Sequence, residues 1–177
     1  MQYHVFIAFL LAATAPSFAI ASDALDSRVI AACLDAVHAE ARRQTPARGD
    51  ALHVLPSGPE AGSSWIPATR AGGDAAWLGE AFLDLNDRLR QARGWTPPRK
   101  IPLPGVKVRV KGLDARRRGY EQPLHFVVWP PGYDVSRTHA LVLATFGPAD
   151  HGAEAACELG LRAGRWEVLR SKAVSFL

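Results

Sequence analysis

The stretch Val106-Lys107-Val108-Arg109-Val110-Lys111 alternates apolar and basic residues. Successive side chains of a β-strand point to opposite faces of the sheet. The pattern therefore predicts a strand whose valines face the core and whose cations face solvent. This one stretch indicates both a half-buried sheet and a charged surface on it.

Further strands are predicted on both sides of this one. Apolar segments at 51–55, 124–129 and 139–146 are typical of strands. Residues 154–161 and 165–176 flank Arg162-Ala163-Gly164, a sequence typical of a hairpin turn.

Two amphipathic helices are predicted before most of these strands. The first covers residues 22–43 and the second residues 75–92, and apolar residues recur in each at intervals of three and four. Because no regular alternation of helix and strand follows, the order favours an α+β fold. We expect two N-terminal helices packed on one face of a four- to five-stranded, mainly antiparallel sheet.

Length and composition limit the kind of protein. The chain has 177 residues, of which 48% are hydrophobic and 21% charged. These are ordinary values for a globular domain and exclude wholesale disorder or a collagen-like structure. The length fits one domain, and we assign it to residues 22–177.

The first 21 residues are predicted to be a secretory signal peptide. They contain no Lys, Arg, Asp or Glu, and Ala19-Ile20-Ala21 matches the small-x-small pattern before a cleavage site. The alternative is a membrane anchor or a buried helix. A membrane span needs about 20 apolar residues, and Thr14, Pro16 and Ser17 interrupt this stretch early. We therefore expect a periplasmic or secreted protein that begins at Ser22 and has no transmembrane span after signal removal.

The chain contains two cysteines, Cys33 and Cys157. An even number of cysteines in an exported protein favours a disulfide. Cys33 lies beside the apolar stripe of the first predicted helix, and Cys157 lies in a predicted strand. A helix-to-sheet disulfide is therefore predicted, and two buried free thiols are the alternative.

Positive charge is concentrated in one part of the chain. Residues 93–118 contain nine basic side chains and one acidic one, although the net charge of the whole chain is only +4. Such a concentration attracts anionic partners and speeds their encounter. The alternative is a solvated strand face beside a loop. We predict the following binding residues: Lys107, Arg109, Lys111, Arg116, Arg117 and Arg118.

The C-terminal half resembles a group of small exported bacterial α+β domains of unassigned function. The matching residues are Phe82-Leu83-Asp84-Leu85-Asn86, the segment from Tyr133 to Val142, and Gly164-Arg165-Trp166-Glu167-Val168. The last of these is similar to a hairpin in cone-shaped domains such as those with the nuclear-transport-factor fold. The resemblance implies a structural framework and no catalytic residues.

Other polar residues suggest no defined chemistry. Asp150, His151, Glu154 and Glu158 lack the spacing of a known metal motif, so a polar loop is the simpler interpretation and no metal is expected. His53, His125 and His139 lie at strand positions, where isolated histidines usually pack. The sequence contains no nucleophile-elbow, P-loop or dinucleotide motif, so we expect no cofactor and assign no catalytic residue.

These observations favour an exported binding protein, of the inhibitor or immunity type, whose basic strand face binds an anionic envelope component or an acidic protein. Specific nucleic-acid binding is not expected, because aromatic residues only flank the basic stretch. One alternative is an accessory domain that binds a small ligand in a cone-shaped cavity. Another is a periplasmic hydrolase that uses His125 or His139 with a nearby carboxylate.

Overall fold

The computed structural model describes residues 18–44, 51–56, 76–91, 95–112, 125–147 and 153–176. These residues form the following elements: α1 (Phe18–Gln44), β1 (Ala51–Val54), α2 (Ala76–Gln91), β2 (Lys107–Val110), β3 (His125–Val128), β4 (Gly132–Tyr133), β5 (His139–Gly147), β6 (Ala153–Arg162) and β7 (Arg165–Phe176). The prediction of an α+β fold with two helices before most of the sheet is confirmed.

The sheet is larger and more mixed than expected. The hydrogen-bonded order of its strands is β2-β1-β3-β5-β6-β7. The short strand β4 lies outside this order and pairs with β5. Strand β1 is parallel to both β2 and β3, whereas the pairs from β3 to β7 are antiparallel. The expectation of four to five strands is therefore wrong. Parallel neighbours need a long crossover, and the segments that follow β1 and β2 are long enough to supply one.

The two helices cover opposite faces of the sheet, not the single face that was expected. In β5, Ala140, Val142 and Ala144 belong to the core under α1, and the alternate residues Leu141 and Leu143 pack with α2. The run 140–144 is apolar throughout, as is typical of a strand buried on both faces.

Helix α1 is bonded covalently to the sheet. The Sγ atoms of Cys33 and Cys157 are 2.08 Å apart, and their Cα atoms are separated by 5.7 Å. Both residues are fully buried, within the core formed by α1, β5 and β6. The predicted helix-to-sheet disulfide is confirmed.

Helix α2 approaches β4 so closely that only glycine fits at position 132. A Cβ atom on Gly132 would lie 1.9 Å from the carbonyl oxygen of Ala81 and 2.6 Å from Cβ of Leu85. The backbone N–H of Tyr133 also donates to Oδ2 of Asp84 at 2.9 Å. These contacts fix the position of α2 on its face of the sheet.

A buried ion pair connects α1 with α2. Nη2 of Arg88 lies 2.7 Å from Oδ2 of Asp26, and the hydroxyl of Tyr133 donates to Oδ1 of Asp26 at 2.8 Å. Arg88 also donates to the carbonyl oxygen of Pro131 and lies over the Tyr133 ring. Burial, together with the negative charge of Asp26, raises the pKa of the Tyr133 hydroxyl. The phenol therefore stays protonated and acts as a donor.

Candidate anion-binding surface

The basic side chains of β2 lie on the solvent side of the strand. Lys107 and Arg109 are exposed, whereas Val108 and Val110 are half-buried and pack against the core under α1. Lys111 is also exposed, and its backbone N–H donates to the carbonyl oxygen of Val54 at 3.0 Å. The alternation inferred from the sequence is therefore present. The binding role of these cations stays a prediction.

Three further predicted binding residues, Arg116, Arg117 and Arg118, lie outside the described residues. The described part of the surface is therefore formed by the cations of β2 and by their neighbours in the sheet.

Two histidines extend the row of polar side chains inward from β2. His53 on β1 is in register with Arg109 on one side and with His125 of β3 on the other. Leu52, Val54 and Phe126 belong to the core under α1, so the alternation of side chains directs both histidines to the other face, where the cations of β2 lie. We call this surface the cationic face and define it by its residues: His53, Lys107, Arg109, Lys111 and His125.

Exposure falls along this row from the sheet edge inward. Arg109 is exposed, His53 is half-buried, and His125 is only 8% exposed. Burial lowers the pKa of His53, and the positive charges of Arg109 and Lys111 and the nearby His125 lower it further. The same field repels metal cations and attracts anions.

The sequence could not show that the histidines belong to this surface. Each was recognised only as an isolated strand residue, and their alignment with Arg109 depends on the parallel register of β1 with its two neighbours. The signal that was present is the position of His53 in a short strand with apolar residues on either side.

A second polar cluster lies in the turn between β4 and β5. Asp134 accepts hydrogen bonds from the backbone N–H groups of Thr138, at 2.9 Å, and His139, at 3.0 Å. It also accepts one from the hydroxyl of Ser136 at 2.6 Å. Burial alone would raise the pKa of Asp134, but these hydrogen bonds lower it to about 2. The carboxylate is therefore ionised and organises the turn, in which Arg137 has a φ of 55°.

This cluster does not have the geometry of a catalytic triad. In a triad, the serine hydroxyl and the aspartate contact opposite nitrogens of the histidine ring. Here Nδ1 of His139 lies 3.1 Å from Oδ2 of Asp134 and 3.3 Å from Oγ1 of Thr138, so both groups are on the same side of the ring. The hydroxyl of Ser136 contacts Asp134 itself. The arrangement gives His139 a structural role in the turn. It also places His139 beside a carboxylate, which is what the hydrolase alternative requires, and that alternative stays a prediction.

The remaining candidates form no site in the described part of the chain. Asp150 and His151 lie outside it, and Glu158 is paired with Arg170, whose Nε lies 3.0 Å from Oε1 of Glu158. No group of three or more potential metal ligands occurs among the described residues. Within the same residues, neither helix is long and apolar enough to cross a membrane.

Comparison of the chain with protein-family models, curated proteins and solved structures gives no match. The resemblance of the C-terminal half to small exported domains therefore stays a prediction.

Proposed function

We propose that this protein is an exported binding protein whose cationic face binds an anionic partner. The observation that supports the proposal is the alignment of Arg109 with His53, flanked by Lys107 and Lys111, on one face of adjacent strands. A surface of one charge on a rigid sheet raises the local concentration of ligands of opposite charge and speeds their association.

The distribution of charge along the sequence supports the same function. Residues 93–118 have a net charge of +8, whereas the whole chain has only +4, so the remainder is net negative. Solubility alone requires only a net charge and does not require that the positive charges be concentrated in one segment. The asymmetry favours recognition of one kind of partner, and an acidic protein fits the inhibitor or immunity type of function.

Export is a second part of the proposal. The uncharged apolar leader supports it, and the Cys33–Cys157 disulfide is compatible with it, since disulfides persist mainly in oxidising compartments. We therefore propose that the partner is encountered in the periplasm or outside the cell.

Reversing three charges of the cationic face tests the binding role. The Lys107→Glu, Arg109→Glu, Lys111→Glu variant is expected to bind immobilised polyglutamate at least about tenfold more weakly than the wild type. The reason is that each exposed ion pair contributes about 0.2–1 kcal/mol and each reversal also adds repulsion. Wild-type affinity should fall as salt rises, because exposed charges are screened over about 8–10 Å.

The matched control reverses three exposed arginines elsewhere, Arg28, Arg162 and Arg165. It changes the net charge of the protein by the same amount and should retain most of the binding. Equal affinities of both variants and the wild type at every salt concentration would show that the cationic face is only a solvated surface. Anionic phosphatidylglycerol vesicles, tested in parallel, separate a lipid surface from an acidic protein as the preferred partner.

Titration of His53 tests whether the bound anion lies on the histidine side of the face. In the free protein we expect the pKa of His53 to lie below its usual value of about 6.5. Bound polyglutamate should raise this pKa, so affinity should increase as the pH falls. The stability of the free protein changes with pH in the opposite direction to the affinity. Neutral His53 contributes stability above about pH 6.5, and this contribution decreases as the pH falls below that value. Nuclear magnetic resonance of the imidazole protons measures the shift, and an unchanged pKa in the complex would place the anion elsewhere.

A further inference from the structure

We propose that the partner contributes an extended acidic segment that pairs with β2 as an additional strand of the sheet. This inference rests on the proposed function and specifies the form of the partner. In the described part of the sheet, β2 is a terminal strand whose pairing is with β1. A terminal strand presents unpaired backbone groups that another extended chain can use.

The direction of the backbone hydrogen bonds identifies the groups available at this edge. The N–H of Lys111 donates to Val54 of β1. Because backbone groups alternate sides along a strand, those of Lys107 and Arg109 also point to β1. The N–H and C=O groups of Val108 and Val110 therefore point away from β1, toward the position of an added strand.

The side chains of β2 define the sequence that such a strand requires. Lys107, Arg109 and Lys111 are spaced at about 6.6 Å intervals, twice the rise of about 3.3 Å per residue. Residues of an added strand have the same spacing, and directly opposed side chains lie about 4.5–5.5 Å apart. Acidic residues at alternate positions would therefore lie opposite the three cations.

The other face of β2 requires apolar residues. Val108 and Val110 are half-buried and extend the core under α1 to the sheet edge. The intervening residues of an added strand would lie beside these valines and cover them further. The segment that fits is therefore one in which acidic and apolar residues alternate. A polymer with negative charges but without this alternation would not match both faces of β2.

The same charges discriminate between partners. Lysine and arginine on a terminal strand oppose its pairing with the same strand of another copy, because like charges directly opposite each other are destabilising. An acidic strand converts each of these repulsions into attraction. The edge thus favours a different, acidic chain over self-association.

Two peptides of identical composition test the inference with the full protein. In one, Glu alternates with Val and Thr; in the other, the Glu residues are consecutive. The alternating peptide is expected to bind at least about tenfold more tightly, and N-methylation of its alternate backbone nitrogens on the edge that faces β2 should abolish that advantage. Binding should also slow amide exchange at Val108 and Val110.

A variant of the protein itself tests the contribution of the β2 backbone N–H groups to peptide binding. Val108→Pro removes one outward N–H and no N–H directed at β1, and proline is tolerated on the outer side of a terminal strand. It should reduce the preference for the alternating peptide, whereas Val108→Ala, which retains the N–H, should reduce it less. The methylated peptide gives the same information if Val108→Pro does not fold.

The outcomes separate this inference from the proposed function. Equal, salt-sensitive binding of both peptides would overturn strand addition and leave the anion-binding function intact. Absence of binding to either peptide and to polyglutamate would overturn both. Preferential binding of anionic vesicles over the alternating peptide would overturn the acidic segment as the partner.

Discussion

The Cys33→Ala, Cys157→Ala double variant is expected to have a free energy of unfolding about 4–5 kcal/mol below that of the wild type. A disulfide that joins residues 124 positions apart strongly restricts the unfolded chain, and the chain-entropy relation gives this magnitude for so long a loop. Both sulfur atoms are buried in the main core, so their removal also reduces packing. Urea unfolding followed by circular dichroism measures the difference.

Wild-type protein unfolded in the presence of a reductant is the control for the packing contribution, because it loses the bond and keeps both sulfur atoms. It should be destabilised slightly less than the double variant. If the double variant unfolds at the same midpoint urea concentration as the wild type, the prediction is wrong. Two alkylatable thiols in the non-reduced wild-type protein would contradict the disulfide itself.

Replacing Asp26 with Ala is expected to destabilise the protein by about 3–5 kcal/mol, because it leaves one member of a buried ion pair without its counterion. The side chain of Asp26 is 6% exposed and that of Arg88 is 23% exposed. The hydroxyl of Tyr133 loses its carboxylate acceptor at the same time. Chemical unfolding of the variant measures the loss.

The matched control for this change is Asp87→Ala on the outer surface of α2. Asp87 is paired with Arg90 at 3.2 Å, but both side chains are more than half exposed, so its loss should cost less than about 1 kcal/mol. A double variant, Asp26→Leu with Arg88→Met, should be more stable than Asp26→Ala. The reason is that an apolar pair leaves no buried charge without a counterion. Similar losses for Asp26→Ala and Asp87→Ala would show that the buried pair has no special contribution.

Local patterns in the sequence were sufficient to locate most elements. The apolar stripe that includes Leu85 gave α2 as residues 75–92, against Ala76–Gln91 in the structure. The alternation around Arg109 gave β2 and its exposed face. Both features depend on residues a few positions apart, which is why they could be predicted.

Features that depend on the pairing of distant strands were missed. The parallel placement of β1 between β2 and β3 has no local signature, and the alignment of His53 with His125 follows from that placement. Strand β4 has only two residues, too few to show a period. The placement of α2 opposite α1 had a signal, the continuous apolar run 140–144, but that run was interpreted only as a strand.

The cross-link between Cys33 and Cys157 also has a consequence for biosynthesis. The partner of the first helix lies in a strand that is made 124 residues later. The short strand β1 likewise has to wait for both of its neighbours, which follow it in the chain. While the polypeptide emerges from the ribosome, its N-terminal half therefore has no complete core against which to pack. Native structure has to form after the last strands are delivered, and until then the chain depends on its surroundings to keep it from aggregating.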